Sequence, residues 1–142
     1  MLYYEKGGVK MEKKKVIQNK DERIKDLKKL WSLFLKDPDA HDEELGSIFE
    51  YGLCFDYVPA GTFQDQRSGY FRYQLSWGGP SDEFRFYCDP DFIPYKITYV
   101  YLDWFDGMEI ELKGKDFNLL KEIFENFFVE SGTATQVLQE SL

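Results

Sequence analysis

Few of the residues in this chain that could do covalent or acid–base chemistry stand at the spacings that chemistry uses. His41, the one histidine of the sequence, would be the natural general base, but no serine or cysteine lies near it to be activated. With Asp37, Asp39 and Asp42 it has the oxygen-rich look of a hard-metal site. The run lacks the glycine and terminal glutamate of a calcium loop, so a solvated turn is expected and no metal is assigned. Cys54 and Cys88 stand 34 residues apart with no CxxC spacing. Among strand aromatics they read as small buried hydrophobes, and in a reducing cytoplasm as ordinary thiols. Gly78-Gly79-Pro80 is followed by neither a helix nor Lys-Ser/Thr, so it is turn chemistry and no phosphate loop. Asp103, Asp106, Glu109 and Glu111 could supply an acid and a base. Asp106 is better explained by a turn. Asp103 interrupts an aromatic strand between Leu102 and Trp104 and must face water or pair with Arg72 or Arg85. No catalytic residue and no cofactor is assigned.

Charge is the clearest anomaly. Residues 1–36 hold eleven Lys or Arg against five Asp or Glu, and residues 37–142 hold seven against twenty-one, a net of +6 followed by −14. Such an acidic body repels nucleic acid and speeds encounter with basic surfaces. Direct nucleic-acid binding by the sheet domain is therefore not expected. The basic stretch Lys10 to Lys15, with Lys20, Arg23, Lys25, Lys28 and Lys29, reads as the solvated face of a helix, because Asp21, Glu22 and Asp26 lie at intrahelical pairing distance.

The elements that must position these groups follow from periodicity. Ile24, Leu27, Leu30, Trp31 and Phe34 recur every three or four residues and predict an amphipathic helix that Asp37-Pro38 ends. From Glu50 the period becomes two. Strands are expected over Tyr51 to Val58, Tyr70 to Trp77, Glu83 to Cys88, Tyr95 to Phe105 and Met108 to Leu112, with Asp106-Gly107 as a hairpin turn before the last. The connection Pro59 to Gly69 is longer than a common hairpin loop, and long loops more often carry function. After Gly114, Phe117, Leu120, Ile123, Phe124, Phe127 and Phe128 define a second amphipathic helix that Ser131-Gly132 stops. The expected fold is α+β: a five-stranded antiparallel meander covered on one face by an N-terminal and a C-terminal amphipathic helix. Residues 1–19 read as a flexible basic leader, 20–130 as a single domain and 131–142 as a polar mobile tail. Two readings of the first ten residues stay open: Lys6-Gly7-Gly8 encoded as a purine-rich ribosome-binding sequence with translation starting at Met11, or a floppy arm from Met1 to Lys10.

A chain of 142 residues with 43% hydrophobic and 18% aromatic residues has material for one core. It shows no apolar run of membrane-spanning length and no secretory leader, so a cytoplasmic protein without membrane contact is expected. The stretch from Tyr70 to Phe86, with Tyr51-Gly52-Leu53 before it and Asp103-Trp104-Phe105-Asp106-Gly107 after it, resembles uncharacterised small proteins encoded on bacterial plasmids and conjugative elements, over roughly residues 30 to 128. The resemblance brings no functional residue with it. It implies the setting of mobile-element accessory genes, whose small acidic proteins often block host defence nucleases.

The uncovered sheet face is expected to present Asp56, Tyr70, Arg72, Gln74, Glu83, Arg85 and Tyr87, with Lys96 and Thr98. Phe63 and Gln64 of the long loop would stand beside it, and Asp103 is the remaining binding candidate. The leading expectation is a non-enzymatic accessory protein that docks this acidic, tyrosine-bearing surface on a basic surface of a partner protein, with nuclease blocking as its sharpest form. One alternative is a small-ligand binder or enzyme using an Arg/Asp/Tyr pocket on the sheet. Another is a homodimer closed through the open face, since many wet tyrosines are unusual in a monomer.

Overall fold

In the computed structural model, which describes residues 6–103 and 106–142 and all their side chains except those of 6–12 and 106, the chain opens with one long helix. Helix α1 runs from Lys6 to Lys36. The flexible leader expected over 1–19 is helical instead from Lys6 onward, and residues 1–5 lie outside the described residues. Val16 is buried with Leu27, Leu30 and Trp31, and Val16, Lys20, Arg23, Leu27, Leu30 and Phe34 follow one another at helical spacing on a single face. Lys20 and Arg23 interrupt the apolar pattern, which hides the first half of the stripe from a hydrophobicity reading. Their stems lie along the face while their charged heads reach partners on other elements. A chain started at Met11 would retain all four buried side chains.

Asp37-Pro38 ends α1 as expected. A compact turn follows, in which the Asp42 carboxylate accepts the Glu44 and Leu45 N–H groups and Gly46 takes a positive φ of 79°. Helix α2, Ile48–Tyr51, occupies residues counted partly toward the first strand. The signal was Ser47-x-x-Glu50, a capping box, and the Glu50 carboxylate accepts the Ser47 N–H at 3.0 Å.

Strands β1 (Cys54–Val58), β2 (Tyr70–Ser76), β3 (Ser81–Cys88), β4 (Pro94–Asp103) and β5 (Asp106–Glu111) form one open antiparallel sheet in chain order. The fold is therefore the expected α+β meander. Asp103 pairs with Asp106 and Leu102 with Gly107, so Asp106-Gly107 opens β5 instead of forming the turn; Trp104 and Phe105, placed in the fourth strand by the sequence, lie outside the described residues. Helix α3, Gly114–Ile123, continues as a π-helical segment, Phe124–Val129, and Gly132 at φ 86° stops it.

Residues 131–142 were expected to be a polar mobile tail, but Thr133–Glu140 form helix α4 against β1. Ala134 is fully buried, and Val137 and Leu138 pack on the core. Three apolar residues at helical spacing are enough to dock a mostly polar segment.

The helices share one side of the sheet. Phe71, Tyr73, Phe84, Phe86, Ile97 and Tyr99 point into the core they build, together with Leu120, Ile123, Phe124 and Phe128. The alternate residues of every strand point the other way. No described helix covers them.

Candidate functional site

Strand register lays out the open face. Across the sheet Asp56 stands opposite Arg72, Arg72 opposite Arg85, Arg85 opposite Thr98 and Thr98 opposite Glu111. Arg72 holds Asp56 bidentately, Nε to Oδ1 at 3.0 Å and Nη2 to Oδ2 at 2.7 Å. Arg85 donates from Nε to Glu83 Oε2 at 2.7 Å. Its guanidinium lies over the Tyr70 ring at 4.6 Å, Tyr70 meets Tyr87 edge to face at 5.4 Å, and Lys96 Nζ stands 5.0 Å over Tyr87. Two tyrosine rings are thus held between two cations.

Burial and charge fix the protonation states. Burial alone would weaken the Arg85 cation, but the Glu83 carboxylate outweighs it and the pKa is raised. The Tyr87 hydroxyl is pushed up to about 12, first by burial and then by the Glu109 carboxylate, to which it donates at 3.3 Å. Burial likewise raises Tyr70. The Tyr70 Oη and Thr98 Oγ1 atoms are buried and meet no hydrogen-bond partner among the described residues. Burial thus favours the neutral form of Tyr70 and Tyr87, and the facing carboxylates favour the cationic form of Arg72 and Arg85.

The 59–69 connection stands beside this floor and is tied up by Gln66. Its amide nitrogen donates to the Pro59 and Ser68 carbonyls at 3.1 and 2.9 Å, and its oxygen accepts the Phe63 N–H at 3.0 Å. Loop and sheet together enclose a concave space of about 770 Å³. Among the predicted residues Phe63, Gln64, Tyr70, Arg72, Glu83, Arg85 and Tyr87 all line it.

Gln74 lies outside that lining, although it shares the open face by register with Glu83. Asp103 is exposed at the end of β4, and the carboxylates paired with the two arginines are those of Asp56 and Glu83. Glu83 is only 3% exposed, so it braces Arg85 from below where an exposed charge was expected. The sequence reading left out Asp65, Gln66, Arg67 and Tyr95 as wall residues. The length of the loop was the available signal, but nothing in its composition shows which side chain knots it.

A second polar cluster joins α1 to the sheet. Asp82, 5% exposed, accepts from Arg23 Nε at 2.8 Å and Nη2 at 3.0 Å, from Tyr99 Oη at 2.6 Å and from the Ser76 hydroxyl. Arg23 Nη1 reaches Tyr51 Oη at 3.1 Å, which donates to Asp26 at 2.7 Å. Lys20 pairs with Asp21 and, on α3, with Asp116, each at 2.7 Å. The basic face of α1, expected to be solvated, is in this part a set of ties to other elements. These groups saturate one another, so the cluster reads as structural.

Both cysteines are free thiols. Cys54 is exposed, against the expectation of burial, because it points to the open face at the outer strand. Burial pushes the Cys88 thiol up to about 12, with Asp89 and Glu125 adding to the effect. Iodoacetamide at pH 8 is expected to alkylate Cys54 about tenfold or more faster than Cys88 in the folded protein, with Cys88 reacting only after denaturation. Peptide mass spectrometry checks this. Equal rates would contradict the burial of β3's end.

No group of three or more His, Cys, Asp or Glu among the described residues could hold a metal ion, and no described helix is long and apolar enough to cross a membrane. No protein-family model, curated protein or solved structure matches the chain.

Proposed function

We propose that this is a non-enzymatic binding protein whose ligand seat is the open sheet face beside the 59–69 loop. The observation that carries this reading is the 770 Å³ concavity, a size typical of ligand clefts, with aromatic rings and anchored charges converging on it. Tyrosines held neutral and arginines held cationic suit recognition better than proton transfer. Arg72 and Arg85 are held by carboxylates and Tyr70 and Tyr87 by cations, so a ligand would meet side chains already in place.

A second reading keeps the partner-directed role, since beyond residue 36 the chain carries twenty-one acidic against seven basic residues. On the open face cations and carboxylates are nearly matched, so steering of a basic protein partner, a host nuclease in the sharpest form, would come from the body as a whole. Its signature would be association that weakens steeply between low and high salt.

The seat is tested by recording amide spectra of the ¹⁵N-labelled protein during a small-molecule fragment screen. Shift changes are expected to cluster at residues 63–72, 83–87 and 95–96. Hits that perturb only other surfaces, or a screen with no hit at millimolar concentration, would remove the reading.

A further inference from the structure

We infer that the ligand received on this face carries an oxyanion, a carboxylate or a phosphate, and that Arg72 and Arg85 grip it together. The inference rests on the open face being the ligand seat. Arg72 and Arg85 are direct cross-strand partners, and like charges placed opposite each other weaken an antiparallel pair. The sheet tolerates the pair through carboxylates that approach from elsewhere. Asp56 lies on the β1 side of Arg72, away from Arg85, and Glu83 precedes Arg85 on its own strand.

Those ion pairs engage Nε and Nη2 of Arg72 and Nε of Arg85. Nη1 of Arg72 and both Nη atoms of Arg85 stand outside those ion pairs, although Arg85 also hydrogen-bonds the Tyr87 hydroxyl. Two anchored guanidinium groups side by side, each with N–H donors beyond its own carboxylate, match the paired oxygens of a carboxylate or phosphate. Each arginine keeps its orientation without the ligand, so little side-chain freedom is lost on binding.

Tyr70, whose ring lies beneath Arg85, and Thr98, opposite Arg85 on β4, are more than nine-tenths buried, and their hydroxyls have no hydrogen-bond partner among the described residues. Unpaired buried hydroxyls are uncommon in folded proteins. Lys96 and Arg67 add two further cations to the walls. The carboxylates of Asp65, Glu83 and Glu109 share those walls, so the attraction for an anion is local to the guanidinium N–H groups and not a general positive field. Exposed Phe63 and Tyr95 at the rim suit a planar or apolar body attached to the anionic group.

The probes are phenyl phosphate, benzoate and neutral benzyl alcohol, titrated into the ¹⁵N-labelled protein at low and high salt. At least one anion is expected to bind about tenfold or more tightly than benzyl alcohol, and to lose affinity as salt rises. A preference for phenyl phosphate or for benzoate identifies which oxyanion the site takes. Arg85→Lys keeps a charge for Glu83 but loses the planar fork, and should weaken the preferred anion about tenfold. Arg72→Lys, whose partner Asp56 is partly exposed, is the second variant should Arg85→Lys melt early. Lys28→Gln on the outer side of α1 should change nothing. Equal binding of benzyl alcohol and both anions, or unchanged anion affinity in both arginine variants, would overturn the oxyanion while leaving the seat intact. Absence of any shift from all three probes would overturn it as well, and the fragment screen decides the seat separately.

Discussion

Arg23→Met is expected to lower folding stability by about 3–5 kcal/mol, the usual cost of removing one partner of a buried ion pair. Asp82 is 5% exposed and takes two of its donors from Arg23. Without them a carboxylate stays buried with only the Tyr99 and Ser76 hydroxyls. Asp82→Asn should cost less, because the amide keeps the shape and one acceptor. In the double variant Arg23→Met with Asp82→Leu neither charge remains, so part of the loss should return. Urea titrations measure all three. A loss under about 1 kcal/mol for Arg23→Met would mean the pair is solvent-screened like a surface bridge.

The same cluster sets a pH dependence. Burial alone would raise the Asp82 pKa, but hydrogen bonds from Arg23, Ser76 and Tyr99, with the Arg23 charge, outweigh it and hold the carboxyl below its ordinary value. A group whose folded pKa is depressed stabilises the fold fully above its unfolded pKa, about 3.9 for aspartate. That stability is lost as pH falls through the folded value. Below about pH 4 the wild-type protein should therefore lose stability more steeply than Asp82→Asn. Parallel slopes would show that other carboxylates govern acid unfolding.

This cluster also shows where the sequence stops being legible. The sheet was readable because each strand alternates apolar and polar residues and only one face can be covered, so residues on the open face follow from parity alone. Tyr70, Arg72, Glu83, Arg85 and Tyr87 were placed together by that rule. Asp82 was not, because β3 begins earlier than its apolar pattern and a β-bulge between Gln74 and Ser76 brings Ser76 opposite Asp82, outside the alternation. Lys20 and Arg23 were misplaced for a related reason: their positions belong to the buried stripe of α1, and only the tertiary partners Asp116 and Asp82 reveal it. Charges that bridge elements have no local signature. Gln66 and the walls of the cavity fall in the same class, since a loop's side-chain knot depends on a path that its composition leaves open.

Phe124→Ala is expected to be the other large loss, about 3–5 kcal/mol, and Phe127→Ala a small one, about 1 kcal/mol. The two residues sit three apart in the same π-helical segment and have the same side chain, so the difference isolates environment. Phe124 is fully buried. Its ring centroid lies 4.8 Å from Phe86, 5.3 Å from Phe71 and 6.2 Å from Phe55, which joins three strands beneath one ring. Phe127 is only partly buried, and its neighbours Phe34 at 5.5 Å and Phe49 at 5.2 Å belong to helices at the edge, with Phe49 itself 62% exposed. Truncating Phe124 leaves a cavity between elements that cannot collapse without moving the sheet; truncating Phe127 opens a surface that water and neighbouring rings can fill. The consequence reaches the ligand seat. Phe71 alternates with Tyr70 and Arg72 on β2, and Phe86 with Arg85 and Tyr87 on β3, so the strands that support the two arginines are held from behind by the ring of Phe124. Hydrogen exchange at the amides of Tyr70, Arg72 and Arg85 should accelerate in Phe124→Ala and stay near wild type in Phe127→Ala. Equal acceleration in both variants would mean that the two faces of the sheet are not coupled through its strands.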